Sequence, residues 1–169
     1  MLDIITICDS FENGNTYIVG NEQEVIVIDP ANKISSITSA IKSRKVLGVF
    51  LTHAHYDHFK TLDAFLKKYN VNLYIHKNGV NKLTDINSSC AFFFSVTSLN
   101  NVKAENIIYI KDSDVINLNN ITIKVITTPG HTNCSVVYQI EDSMFTGDTL
   151  FNDGVGRTDL PTSNTVQLI

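Results

Sequence analysis

Cysteine is scarce in this chain, and long apolar runs are missing. The 169 residues include three cysteines, Cys8, Cys90 and Cys134, which are far apart and form no Cys-x-x-Cys pair. This pattern does not fit a disulfide framework, so we expect reduced thiols. No stretch is as long as a transmembrane helix, and residues 1–15 lack the basic start and apolar run of a secretory signal. The sequence therefore predicts a cytoplasmic protein with no membrane partner.

Basic residues are also few. Lys and Arg number 13 against 17 Asp and Glu, which gives a formal net charge of −4 at pH 7. A field of this sign repels a phosphate backbone, so nucleic acid is not an expected partner. Apolar residues make up 43% of the chain and charged residues 18%, a balance typical of globular proteins. We predict a single domain over residues 1–169, with no indication of a particular oligomeric state.

Hydrophobic periodicity predicts strands followed by a β-α-β unit. The N-terminal third indicates a meander of strands separated by polar turns such as residues 12–15, with strands at 2–7, 15–19 and 24–29. Apolar residues then recur at helical spacing in two segments, 34–41 and 62–69. Short apolar runs on either side of the second helix complete the unit, at 46–51 and 71–75.

The second half of the chain predicts more strands around an irregular region. Residues 76–105 should be partly helical and should bury the aromatic cluster at 90–94 under a long connection, with a substrate groove as the alternative. His76 is expected at the surface. Strand patterns resume at 106–110, 115–118, 121–125, 135–140 and 143–146, and the last two read as a hairpin.

Residues 53–58, with the sequence HAHYDH, concentrate metal-ligand side chains. The chain has only 5 His, and a chance match is expected on the order of once in several thousand such chains. Imidazole and carboxylate together suit Zn, Fe and Mn. In an extended or turning loop His53 and His55 point the same way, while Asp57 and His58 turn toward a neighbouring position. One loop can thus supply two metal sites; a polar surface loop is the alternative.

Two further ligand-type residues follow predicted strands. His131 lies in TTPGHT and Asp148 in FTGD, each directly after a strand pattern and a glycine. Loops at strand ends converge in α/β sheets and commonly carry the functional residues. We therefore expect His131 and Asp148 to meet the hexapeptide.

Taken together, these motifs resemble the metallo-β-lactamase-fold hydrolases, and more closely their small glyoxalase II-like subgroup. The matching stretches run in family order at residues 29–30, 52–58, 129–132, 145–151 and 156–160. The resemblance implies an αβ/βα four-layer sandwich, with two mixed sheets face to face, helices outside and the site at one edge.

The resemblance also implies roles for individual residues. It assigns His53, His55 and His131 to a first metal, Asp57 and His58 to a second, and Asp148 to a bridge between them, with one or two Zn²⁺ expected and Fe or Mn as alternatives. Metal-bound water would be the nucleophile, and Asp57 would be a second-site ligand or the catalytic base. Thr52 and Asp159 are expected to hydrogen-bond ligand histidines, and Arg157 to grip an anionic substrate group or form a structural salt bridge.

The chain departs from the family pattern in two places. Family members carry a further second-site histidine after the region matching 156–160, and the chain ends at Ile169 before it, so we expect the last helix and strand to be missing and the second site to be one ligand short. Cys134 stands where glycine is common. We expect a small buried thiol, with a reactive cysteine near the metal as the alternative.

The leading functional expectation is a metal-dependent thioesterase, acting on a small-molecule thioester such as a hydroxyacyl-glutathione. The alternatives are a mononuclear iron persulfide dioxygenase, with His53 and His55 joined by His131 or Asp148, and a catalytically weak metal-binding module. A periplasmic antibiotic hydrolase is disfavoured because no signal sequence is present and Asp148 replaces the cysteine usual in that class.

Overall fold

The structure of the chain, a computed structural model, describes residues 2–10, 14–99, 102 and 107–169. Glu12 and Asn13 of the predicted turn and the predicted strand start at Asn106 lie outside these residues. The described strands are β1 (Asp3–Ile7), β2 (Thr16–Gly20), β3 (Glu24–Ile28), β4 (Lys45–Phe50), β5 (Leu73–His76), β6 (Ile107–Ile110), β7 (Val115–Leu118), β8 (Ile121–Thr127), β9 (Val136–Ile140), β10 (Ser143–Phe145), β11 (Leu150–Phe151) and β12 (Gly154–Val155).

Two eight-residue helices coincide with the segments predicted from apolar periodicity. The α-helices are α1 (Ile34–Ile41), α2 (Tyr56–Phe59), α3 (Leu62–Tyr69) and α4 (Thr165–Leu168), and 3₁₀ helices span Lys77–Leu83 and Ala91–Phe94. Helix α3 ends where Asn70 adopts a left-handed conformation and its N–H donates to the carbonyl of Leu66. In the described part of the chain no helix has the length and apolar character needed to cross a membrane.

The larger sheet has six strands in the order β1-β2-β3-β4-β5-β6. The pairs β1–β2 and β2–β3 are antiparallel, which confirms the predicted meander. The pairs β3–β4, β4–β5 and β5–β6 are parallel, and α3 connects β4 to β5, as the β-α-β prediction required. Because β3 and β4 run in the same direction, the segments that follow them emerge at one edge of the sheet.

The smaller sheet has the order β10-β9-β8-β7 and, unlike the mixed sheet that we expected, contains only antiparallel pairs among the described strands. Short connections explain this, since residues 119–120 and 141–142 join successive strands and only antiparallel neighbours can be linked by two residues. The predicted hairpin is confirmed, with Ser143 opposite Ile140. Strands β11 and β12 form a separate small hairpin.

Two apolar clusters hold the layers together. One lies between the larger sheet and its outer helices, where Ile37 of α1 and Phe65 of α3 are fully buried. The other lies between the two sheets and includes Phe50, Tyr74 and Tyr138. The rings of Phe50 and Tyr74 stack at 4.3 Å, and burial of one such side chain contributes about 1.5–3 kcal/mol. The fold is therefore helix on sheet on sheet, with the site-bearing edge fixed by both cores.

The aromatic cluster at 90–94 is not buried as predicted. Phe92 is 45% exposed and Phe93 58% exposed, and their rings lie 4.2 Å apart. The reason is local geometry, because the single 3₁₀ turn Ala91–Phe94 points successive side chains about 120° apart. Only Ala91 faces the interior, and Phe94 packs beside Tyr56 with 5.6 Å between ring centroids.

Candidate metal centre

Residues 53–58 follow β4 at the edge where the two sheets meet. The N–H of Val136, at the start of β9, donates to the carbonyl of Thr52 at 2.8 Å, and Tyr138 donates its hydroxyl to the carbonyl of Leu51 at 2.6 Å. These bonds fix the end of β4 against the smaller sheet. His55 is extended (φ −83°, ψ 144°) and precedes the short helix α2. The second half of the expected loop therefore coils into α2, which brings the His58 ring to 4.2 Å from the His53 ring, closer than the 4.9 Å between His53 and His55.

Three imidazoles from two loops form a nearly equilateral triangle. The ring centroids lie 4.9 Å apart for His53 and His55, 5.0 Å for His53 and His131, and 4.7 Å for His55 and His131. The three residues are at most 3% exposed. One ring nitrogen from each lies within 4.8 Å of the others. The three imidazoles thus offer a compact set of nitrogen atoms that could bind one metal ion.

Hydrogen bonds fix which nitrogen of His53 and His131 faces the triangle. The Thr52 hydroxyl donates to Asp29 at 2.6 Å, so its oxygen accepts from Nδ1 of His53 at 3.2 Å. Nδ1 of His131 donates to the main-chain carbonyl of Arg157 at 2.8 Å. Both tautomers leave Nε2 with a lone pair directed into the centre.

We predicted that Asp159 would form a hydrogen bond with a ligand histidine. The acceptor for His131 is instead the main-chain carbonyl of Arg157. The Asp159 carboxylate instead receives two hydrogen bonds of 2.6 Å from Arg157. This exposed pair is the salt-bridge alternative that we named for Arg157.

A second group of donors adjoins the triangle. Nε2 of His58 lies 3.1 Å from Asp148 and 3.7 Å from Asp57. Asp148 also lies 3.5 Å from Nε2 of His131, so its two carboxylate oxygens face both groups. His53, His58 and Asp148 offer ligand atoms within 4.8 Å of one another. The six residues singled out in the sequence thus lie together at one edge of the sandwich.

Asp29 is a functional residue that we did not assign from the sequence. It follows β3, has a left-handed backbone (φ 51°) and is 1% exposed. Its carboxylate accepts from the N–H and hydroxyl of Thr52, at 2.8 and 2.6 Å, and lies 2.9 Å from Nδ1 of His58. The available signal was an aspartate directly after a buried strand and before Pro30, where the residue preceding proline rarely continues regular structure.

Burial keeps two of the triangle's histidines neutral. It lowers the pKa of His53 well below 6.5 and that of His55 to about 3, and the neighbouring imidazoles add to both shifts. Neutral imidazole is the form that binds a metal ion. His53 and His55 are therefore ready to bind a cation without first losing protons.

The second group is charged instead. Burial disfavours the imidazolium of His58, but Asp148 and Asp29 outweigh it and raise the pKa of His58 well above 6.5. Burial likewise opposes ionisation of Asp148, whereas His58 lowers the pKa of that carboxyl below its usual range. Burial raises the pKa of Asp57. The carboxylates of Asp148 and Asp29 thus compensate the positive charge of the His58 imidazolium.

Two glycines let the ligand loops approach each other. Gly147 has φ +49°, and a Cβ there would lie 2.4 Å from Oγ1 of Thr52. A Cβ on Gly156 would lie 2.0 Å from the carbonyl oxygen of Asp148 and 2.9 Å from the His131 ring. Side chains at either position would push the loops apart.

Three of the candidate ligands, Asp57, His58 and Asp148, line an open cleft of about 460 Å³, whereas the histidines of the triangle do not belong to its lining. Its acidic residues are Asp29, Asp57 and Asp148, and its rim includes Tyr17, Leu150 and Phe151. No Lys or Arg belongs to the described lining. The cleft has the size of a small-molecule site.

The chemistry of the donor set fits a transition-metal ion. Nε2 of His53 and Nε2 of His55 are buried without a hydrogen-bond partner in the described structure, and an unsatisfied buried polar atom costs about 1–3 kcal/mol. A cation held by Nε2 of His53, together with Nε2 of His131 and Nδ1 of His55, which lie 2.9 Å apart, offsets that cost at His53. Imidazole with carboxylate suits Zn, Fe or Mn.

Cys134 is the small buried thiol that we expected. It is 2% exposed, its Sγ lies 3.3 Å from Oγ1 of Thr132, and burial raises its pKa. His76, expected at the surface, is half-buried, and its ring accepts from the N–H of Asn78 at 3.3 Å.

Comparison with known proteins agrees with this geometry. A probable metallo-hydrolase of Streptococcus pyogenes serotype M6 is 35% identical over 163 residues, which cover 92% of this chain and 69% of that protein. A probable metallo-hydrolase of Bacillus subtilis is 30% identical over 159 residues, 92% of this chain and 74% of that protein. The crystal structure of BLEG-1 B3 metallo-β-lactamase superposes with a TM-score of 0.86 at 26% identity, covering 99% of this chain and 81% of that one.

The family model for the metallo-β-lactamase superfamily matches residues 9–168, nearly the whole chain. The metallo-β-lactamase fold expected from the sequence agrees with both comparisons, although the described residues form three of the four expected layers, and a histidine-rich candidate metal site lies at its edge. This protein therefore belongs to the metallo-β-lactamase superfamily.

Proposed function

We propose that this protein is a metal-dependent hydrolase that cleaves a small-molecule thioester, such as a hydroxyacyl-glutathione, to a carboxylic acid and a thiol. The observation that carries the proposal is the pair of adjoining donor groups, which share His53, beside an open cleft that Asp57, His58 and Asp148 line. The resemblance of residues 145–151 and 156–160 to glyoxalase II-like proteins supports the thioester. Similarity to two probable metallo-hydrolases supports hydrolysis.

We assign the residues of the triangle, His53, His55 and His131, to a first ion. His58 and Asp57 serve a second ion, with Asp148 between the two. Zn²⁺ is the proposed metal, with Fe or Mn as alternatives of the same donor chemistry. When bound, such an ion lowers the pKa of water to roughly 7 and polarises a carbonyl group.

When only the first ion is bound, Asp57 acts instead on the proton of the attacking water. Its side chain is 27% exposed and faces the cleft beside His58. A carboxylate at this position accepts a hydrogen bond from the water, orients it toward the thioester carbonyl and later returns a proton to the departing sulfur. The water supplies OH to the acyl carbon and H to the thiol, so the reaction balances without a further reactant.

Thr52 and Asp29 keep the donors in position. The buried Asp29 carboxylate accepts a hydrogen bond from the hydroxyl of Thr52 and also contacts Nδ1 of His58, so it holds both side chains in place. Such supporting hydrogen bonds set the tautomer and the orientation of a ligating ring.

Metal analysis combined with a substrate panel tests the proposal. Protein purified without added metal is analysed for Zn, Fe and Mn, and is then assayed on acyl-glutathione and acyl-N-acetylcysteamine thioesters, on a chromogenic β-lactam and on glutathione persulfide. We expect thioester cleavage that a chelator abolishes and added metal restores. If the bound metal is iron and oxygen is consumed with glutathione persulfide, the protein is a dioxygenase and the hydrolase proposal is wrong. If metal binds but no substrate is turned over, the protein is a metal-binding module.

A further inference from the structure

We propose that the β11–β12 hairpin forms a subsite for an uncharged, apolar acyl group beside the candidate metal centre. This inference rests on the proposed hydrolase function, because the hairpin is assigned to the part of the substrate next to the bond that breaks.

Apolar side chains at the hairpin remain open to solvent. Leu150 is 54% exposed, Phe151 45% and Val155 54%, and the register places Leu150 opposite Val155 and Phe151 opposite Gly154. Leu150 and Phe151 line the cleft, whereas Val155 does not. Exposed apolar side chains that cluster at the rim of a polar cleft mark a binding surface.

Both ends of the hairpin are tied to ligand residues. Asp148 lies two residues before Leu150, and Oγ1 of Thr146 donates to the carbonyl of Leu150 at 2.8 Å. After β12, the carbonyl of Arg157 accepts from Nδ1 of His131 at 2.8 Å. The apolar wall therefore keeps a fixed position relative to the donors, which is what a subsite needs.

The charge of the cleft excludes an anionic group at this wall. Asp29, Asp57 and Asp148 line the cleft, and the described lining contains no Lys or Arg. Even two divalent cations do little more than balance three carboxylates and the hydroxide that the reaction needs. A second negative charge on the acyl part finds no partner there, whereas an alkyl chain is stabilised by Leu150 and Phe151.

The test measures equilibrium binding, so it does not depend on turnover. Protein reconstituted with Zn²⁺ is titrated calorimetrically with straight-chain carboxylates from acetate to hexanoate, which represent the acid product. We expect affinity to rise about 4-fold per methylene, the gain for burying such a group. Succinate should bind more weakly than butyrate, which has the same chain length and one charge fewer.

The variants Leu150→Ser and Phe151→Ser should each flatten the dependence of affinity on chain length. Val115→Ser is the matched control, since Val115 lies in β7 at a similar exposure, 56%, and outside the cleft lining. It should retain the wild-type dependence. Far-ultraviolet circular dichroism and metal content check that each variant is folded and loaded.

The outcomes separate this inference from the proposed function. Affinity that is independent of chain length, or an equal loss in Val115→Ser, overturns the subsite even when thioesters are hydrolysed. A chain-length gain that Leu150→Ser removes supports the subsite, and if thioesters then fail in the panel above, the thioesterase assignment alone is lost.

Discussion

The Asp29 carboxylate lies 2.9 Å from Nδ1 of His58, although 29 residues separate the two in the chain. The same carboxylate receives the N–H and the hydroxyl of Thr52. One buried side chain thus links the ends of β3 and β4 to helix α2. The positions of His53 and His58 both depend on a residue that is not itself among the candidate ligands.

Replacing this carboxylate should weaken metal binding. Asp29→Asn keeps the volume but removes the charge and one acceptor, so that His58 or Thr52 loses its partner. We expect metal affinity, measured by competition with a chelator, to fall about 10- to 100-fold. Asp3→Asn is the control, because Asp3 forms an exposed ion pair of 3.0 Å with Arg44. Equal affinities for the two variants would contradict the role of Asp29.

The Thr52 hydroxyl should matter more than its methyl group. Thr52→Val removes one of the hydrogen bonds to Asp29 and leaves Nδ1 of His53 without a partner in a site that is 1% exposed, which costs about 1–3 kcal/mol. Thr52→Ser retains the hydroxyl and should recover most of the loss. Urea unfolding and chelator competition measure the two effects. Identical behaviour of both variants would mean that packing, not hydrogen bonding, decides.

Gly147 should tolerate no side chain. Gly147→Ala places a Cβ against Thr52 at a backbone angle of φ +49°, and the left-handed conformation alone costs about 1–2 kcal/mol for an L residue. Gly154→Ala, where a Cβ meets no atom within 4 Å, should change stability by less than about 0.5 kcal/mol. Thermal unfolding of both proteins decides the matter. A small effect at both positions would show that the loops can separate without cost.

Acid should destabilise the metal-free protein partly through His55. Burial lowers the pKa of this residue from 6.5 to about 3, so between these values the unfolded chain binds a proton that the folded chain does not. The stability from this group is complete above pH 6.5 and is lost as the pH falls, by at most about 1.4 kcal/mol per unit. Urea unfolding at several pH values should give a shallower pH dependence for His55→Asn. A dependence identical to that of the wild type would refute the assignment.

Only one of the three thiols should react in the folded protein. Cys8 is exposed, whereas Cys90 and Cys134 are 3% and 2% exposed and burial raises the pKa of both. A thiol reagent should modify one cysteine per chain, and Cys8→Ser should abolish that reaction. Unfolding the Cys8→Ser protein in urea should release two reactive thiols. Rapid modification of Cys134 in the folded chain would restore the alternative of a reactive cysteine near the metal.

The sequence by itself determined the local elements and the ligand motif. Period-two and helical spacing located the meander, the two eight-residue helices and the hairpin at 141–142, because these patterns depend on residues near each other in the chain. The hexapeptide at 53–58 was equally legible, since its donors lie within six positions.

Only the tertiary structure decided the contacts between distant segments. The role of Asp29, the acceptance of the His131 proton by the Arg157 carbonyl and the cleft position of Leu150 all join segments from different strands. Every residue has a main-chain carbonyl, so the residue type at position 157 could not show that its carbonyl accepts from His131. Aspartate also follows many strands without a functional role, so the position of Asp29 after β3 was not specific. The exposure of Phe92 and Phe93 was likewise hidden, because burial depends on which face of a 3₁₀ turn meets the core and not on hydrophobicity alone.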